Sequence, residues 1–173
     1  MHARSTDLHW ETKLLSIVLL VTSLTWSCSS ATSADHHELF KEYFTPTEND
    51  LVKTDSGEAA QRLNEQAFRL YDQQRYDQAL ILFDELLKGE KTPDLLFFKG
   101  NTLLTLGQFQ VALDVFLEVP EDHERFADSQ WYAGLASLRM DRITQAKVHL
   151  SQAATAENGS FKAKAKQLLR LLD

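Results

Sequence analysis

A chain of 173 residues, 43% apolar and 25% charged, has the makeup of one folded domain with flanking segments. A net charge of −7 argues against the basic stripe of a nucleic-acid binder, and a single cysteine, Cys28, excludes an internal disulfide framework and a thiolate-built zinc site. Only 6 Gly and 3 Pro are too few for a turn-rich all-β protein, so the expected class is all-α.

The first element is an apolar run from Leu14 to Trp26, thirteen residues without a charge, preceded by a mixed-charge start and followed by Cys28. A membrane-spanning helix needs about 20 apolar residues, whereas a secretory signal needs roughly 7–15. The arrangement of apolar run, small residue Ser27 and cysteine resembles a bacterial lipoprotein signal. That resemblance implies lipidation at Cys28, with Trp26 and Leu24 departing from the usual pattern. An uncleaved membrane anchor, an ordinary signal and a core helix stay open as alternatives. Residues 1–28 are accordingly expected as a signal or anchor segment. Residues 29–55 are expected as a flexible linker, with His36 and His37 solvated within it. Its stretch KEYFTPTEND carries Tyr43 and Phe44 ahead of Pro46 and weakly resembles the region preceding the repeats in some membrane-anchored repeat proteins.

Residues 56–173 read as a helical domain with an internal period. The segments beginning at Ala67, Gly100 and Gly134 each place an alanine twelve positions later, at Ala79, Ala112 and Ala146. A bulky residue stands three before that alanine (Tyr76, Phe109, Ile143) and another four after it (Phe83, Phe116, Leu150). The units are offset by 33 and 34 residues, a spacing that marks stacked supersecondary repeats. This pattern resembles the tetratricopeptide family. The resemblance implies a TPR-like α-solenoid of three antiparallel helix pairs at about 60–92, 93–125 and 127–159, with a C-terminal capping helix at 160–172. The third unit departs from the family at Asp141, where a turn glycine is common, at Ser137 and at Trp131.

Local signals agree with helices at these places. Asp55 and Glu58 have capping-box spacing. Gly89 is placed to end a helix in a left-handed conformation. Thr92-Pro93-Asp94 supplies a cap, a first-turn proline and an acid at the positive helix end. Pro120 is expected to stop the fourth helix. Phe161, Ala165, Leu168, Leu169 and Leu172 form one apolar stripe on a last helix, with Lys162, Lys164, Lys166 and Arg170 opposite.

No catalytic constellation is visible: there is no nucleophile elbow, zincin motif or phosphate loop. Asp84-Glu85 and Glu121-Asp122-Glu124 read as solvated charge, and His123 and His149 have no evident nucleophile or metal partner. The chain is therefore expected to be non-catalytic, without cofactor, metal or small-molecule substrate. The resemblance implies that the first helix of each pair lines a concave face. Asn64, Phe68 and Tyr71, then Phe97, Asn101 and Leu104, then Trp131 with Leu135 and Leu138 share that face. Aromatics beside asparagines suit recognition of a polypeptide segment. A carboxylate clamp is not expected, because Asp94 and Asp128 stand where its cations would fall. The expected function is a membrane-tethered, extracytoplasmic adaptor of the bacterial envelope that binds a protein partner. An accessory subunit using convex and cap surfaces is the alternative.

Overall fold

The computed structural model describes residues 33–50 and 58–173. Among them every regular element is a helix: α1 (Ser33–Tyr43), α2 (Glu58–Asp72), α3 (Tyr76–Gly89), α4 (Pro93–Thr105), α5 (Phe109–Phe116), α6 (Phe126–Arg139), α7 (Ile143–Thr155) and α8 (Lys162–Leu172). Cys28, the apolar run and Asp55 lie outside the described residues. No helix among the described residues is long and apolar enough to cross a membrane.

Helix α1 falls inside the stretch expected as a flexible linker. His36, Phe40 and Tyr43 are buried, and with Phe44 they stand at steps of 4, 3 and 1, which is one helical stripe. Asp35 in the first turn and Lys41 in the last complement the helix dipole. Pro46 disfavours helical backbone at Thr45, so the helix does not continue.

From α2 onward each helix packs on the next, α4 also touches α6, and α1 lies against α6. The three pairs α2–α3, α4–α5 and α6–α7 share one turn. Each first helix ends with a left-handed residue: Gln74 (φ 59°), Gly107 (φ 75°) and Asp141 (φ 56°). In each turn that residue's N–H donates three positions back, to Tyr71, Leu104 and Leu138, at 2.8–3.0 Å. The next N–H donates five positions back, from Arg75 to Leu70, Gln108 to Leu103 and Arg142 to Ser137, at 2.8–2.9 Å. This paired closure satisfies the last carbonyls of each first helix. Asp141 therefore fills the turn glycine's role, as a residue type that tolerates this backbone. Gly89 does not: it is the last residue of α3, and Glu90 beyond it is extended. Helix α5 ends at Phe116, before Pro120. Thr92 caps α4 as expected, its Oγ1 accepting from Leu95 N at 3.3 Å.

Within each pair the helices meet at small residues. Ala67, Ala79, Ala112 and Ala146 are fully buried. A Cβ added at Gly100 would stand 2.5 Å from the Phe116 ring, and one at Gly134 would stand 2.7 Å from Leu150 Cγ. The bulky residue four positions after each alanine thus occupies space that a side chain on the facing helix would need. Ala165 and Leu168 of α8 close the far end, with Phe161, Leu169 and Leu172 packed beside them.

Ala112→Leu is expected to overpack this crossing and destabilise the fold by about 1–3 kcal/mol. Val111→Leu, next to it but exposed, should change little. Chemical denaturation of both variants checks the register.

Candidate functional site

The first helices carry an unbroken aromatic layer. Tyr71 of α2 meets Phe98 of α4 at 5.4 Å between ring centroids, Phe98 meets Phe97 at 5.5 Å, and Phe97 meets Tyr132 of α6 at 5.8 Å. Tyr132 then meets Phe161 at 5.3 Å, and Phe161 stacks on Trp131 at 5.4 Å. Most contacts are edge-to-face, the arrangement favoured by the ring quadrupole. Arg125, just before α6, lays its guanidinium 5.1 Å from the Phe97 centroid and 5.7 Å from that of Phe98, a cation–π pair of contacts.

Residues 33–50 lie against Tyr71, Trp131 and Tyr132 of this layer. At the α1 end, His36 Nδ1 lies 3.3 Å from Asp141 Oδ1, and His37 Nε2 lies 3.5 Å from Asp141 Oδ2 and 3.0 Å from Arg139 Nη1. The two histidines, expected as solvated, are instead docked at the turn between α6 and α7. Phe40 meets Phe109 edge-on at 5.5 Å, Tyr43 meets Trp131 at 6.2 Å, and Phe44 meets Tyr132 at 6.3 Å. The chain then leaves the helix and crosses from α6 towards α2. Tyr132 Oη donates to Thr45 O at 2.9 Å, and Tyr71 Oη donates to Thr47 O at 2.8 Å. Asn49 Nδ2 donates to Asp72 Oδ2 at 3.3 Å. Asp50 closes the crossing on Arg125 with both carboxylate oxygens, one of them 2.9 Å from Nη1.

The electrostatics follow from these contacts. Burial pushes both tyrosine phenols well above their ordinary value, so Tyr71 and Tyr132 stay protonated donors across the physiological range. The hydrogen bond from Arg125 holds the Asp50 carboxyl below the ordinary 3.8. Arg125 has a second partner, Asp94 of α4, whose Oδ1 accepts from Nε at 2.9 Å. Asp128 is taken up within the fold: its Oδ1 accepts from Ser160 N at 2.9 Å, and burial raises its pKa. His149 is 2.7 Å from Gln130, and burial lowers its pKa. Among the described residues no group of His, Cys, Asp or Glu could hold a metal.

Of the residues expected to line a groove, Tyr71 and Trp131 touch the segment 33–50. Phe97, with Phe68, Asn101 and Leu104, is buried core. Phe68 is wedged between Phe83 and Phe98, Asn101 turns its amide back to Phe97 O at 3.1 Å, and Leu104 is buried. Asn64 is half-buried; its Oδ1 and that of Asn101 are both buried without a hydrogen-bond partner. Tyr132, Arg125 and the segment 33–50 were not among the expected site residues. The available signal was the helical spacing of His36, Phe40, Tyr43 and Phe44.

No family model matches the chain, and no curated protein matches it. Among solved structures it is similar to a chain in the crystal structure of a T3SS complex from Aeromonas hydrophila. The two share 19% identity and a TM-score of 0.61, over 68% of this chain and 82% of that one. The likeness extends to the fold.

The lowered Asp50 pKa gives the docked tail a pH dependence. A carboxylate held below its unfolded value contributes fully above that value, here 3.8, and its contribution is lost as pH falls through the lowered one. The backbone chemical shifts of residues 47–50 should therefore move towards their unfolded values in acid. Asp50→Asn at neutral pH should move them in the same way, and unchanged shifts in that variant would count against the contact.

Proposed function

We propose that the chain is a TPR-like α-solenoid of three helix pairs and a cap, and that it works as a non-catalytic adaptor binding a polypeptide segment in its concave groove. The single observation that carries this is how residues 45–47 are held. Two buried tyrosines on different helix pairs donate to main-chain carbonyls two residues apart. Main-chain recognition of a non-helical segment over an aromatic floor is a peptide-binding arrangement. Arg125 adds a charged anchor of the kind on which interface energy concentrates. The matched turns and small-residue crossings support the repeat reading. The neighbour's place in a T3SS complex supports a protein partner. Tethering through residues 1–28 to a bacterial envelope membrane is part of the same proposal and rests on the apolar run and Cys28.

The test removes only hydroxyls. Tyr71→Phe and Tyr132→Phe keep the rings, and in a chain whose own residues 45–50 are loosened by Asp50→Lys each should weaken capture of a polypeptide partner about 2- to 10-fold, the worth of one ordinary hydrogen bond. Thermal stability should be little changed. Photocrosslinking from position 132 in cells of origin, followed by mass spectrometry, would identify the partner segment. Full capture by the double variant would sink the groove as the binding surface.

A further inference from the structure

The groove just proposed is already filled by the chain's own residues 33–50. We propose that this segment is a displaceable strap, and that the partner is a polypeptide of the same chemistry which binds by taking its place. The inference rests on the groove reading and adds to it the regulation of the site and the class of its occupant.

Two features make the strap exchangeable. Its tail is held by two hydrogen bonds to main-chain carbonyls and by an ion pair whose Asp50 side chain is 59% exposed. None of these contacts depends on the identity of the side chains at positions 45 and 47. Arg125 keeps Asp94 when Asp50 leaves, so opening the groove does not strand a half-buried cation.

The strap also describes what can replace it. Phe40, Tyr43 and Phe44 supply aromatic area from one face of a helix end. A non-helical stretch follows, and it tolerates a proline at its middle because the groove takes carbonyls there and not N–H groups. A carboxylate six residues beyond Phe44 reaches Arg125. The partner is thus a segment with aromatics at helical spacing followed by an extended, acid-ended stretch. The strap is joined to α2 through only residues 51–57. A tether that short gives it an effective concentration in the millimolar range, which an outside segment must overcome. Apparent affinity falls in proportion to the fraction of open groove.

The probe is a fluorescein-labelled synthetic peptide of residues 33–50, titrated by anisotropy into the full chain. Phe40→Ala/Phe44→Ala weakens the strap without touching the groove, and Asp50→Lys does so from an exposed position should the first variant fold poorly. The strap predicts binding at least about tenfold tighter to the weakened chain than to the unaltered one, and loss of that gain when Tyr71→Phe/Tyr132→Phe is added. Equal, tyrosine-dependent binding to both chains would overturn the strap and leave the groove standing. No binding to either would overturn the groove and the strap with it. A concentration-dependent dimer of the unaltered chain, dissociated by the peptide, would overturn displacement by a partner and assign the groove to the strap of a second copy.

Discussion

Everything in this molecule depends on the closeness with which the two helices of a pair can meet. At Gly100 and Gly134 a methyl group would have no room beside Phe116 and Leu150. The alanines twelve positions on let the partner helix lie against that point. This contact fixes the rotation of each first helix about its own axis, and so decides which residues face the next pair and which face outward. The left-handed turns at Gln74, Gly107 and Asp141 repeat the same angle three times. With crossing and turn both repeated, Tyr71, Phe97, Tyr132 and Trp131 fall into one layer although 60 residues separate the first from the last.

The covered face departs from the repeat at its two ends. Tyr71 stands where the other pairs carry Leu104 and Leu138, and Tyr132 stands where the second pair carries Phe98. A hydroxyl has been placed at one position in the first pair and at a different one in the third, and both meet the same strand of chain. Repetition builds the floor, and two departures from repetition hold residues 45–47 to it. Arg125 is a third: it lies between pairs, where its guanidinium covers Phe97 and Phe98 and reaches carboxylates on α4 and on the segment above.

The helix pairs were legible in the sequence because their signal is local and repeated three times. Small residue, alanine and bulky residue at fixed spacing can be checked against one another, and Thr92-Pro93 marks a helix start by stereochemistry alone. The turn at Asp141 was legible only as a departure, since an aspartate and a glycine solve the same backbone problem. Helix α1 was not read. Its stripe occurs once, spans little more than two turns and includes a histidine, so no second copy confirmed it, and its buried face rests on rings of α5 and α6. For the same reason Phe68, Phe97, Asn101 and Leu104 read as sharing a groove-lining stripe, and the structure buries them. Helical spacing says which residues share a face, but not how far another segment, or the neighbouring pair, has already buried it.

The tyrosine bonds at Thr45 and Thr47 have a consequence for how an occupant of the proposed groove would find its place. In an extended chain, carbonyls on one side recur at every second residue. A segment that slid two residues along the groove would offer the same pair of acceptors to Tyr71 and Tyr132, with nothing in those bonds to distinguish one setting from the other. Alignment must then come from features that do not recur: the rings of Phe40, Tyr43 and Phe44 at one end and a carboxylate opposite Arg125 at the other. The proposed groove would measure its occupant as a ruler does, by the distance between two end marks, while the graduations between them are all alike.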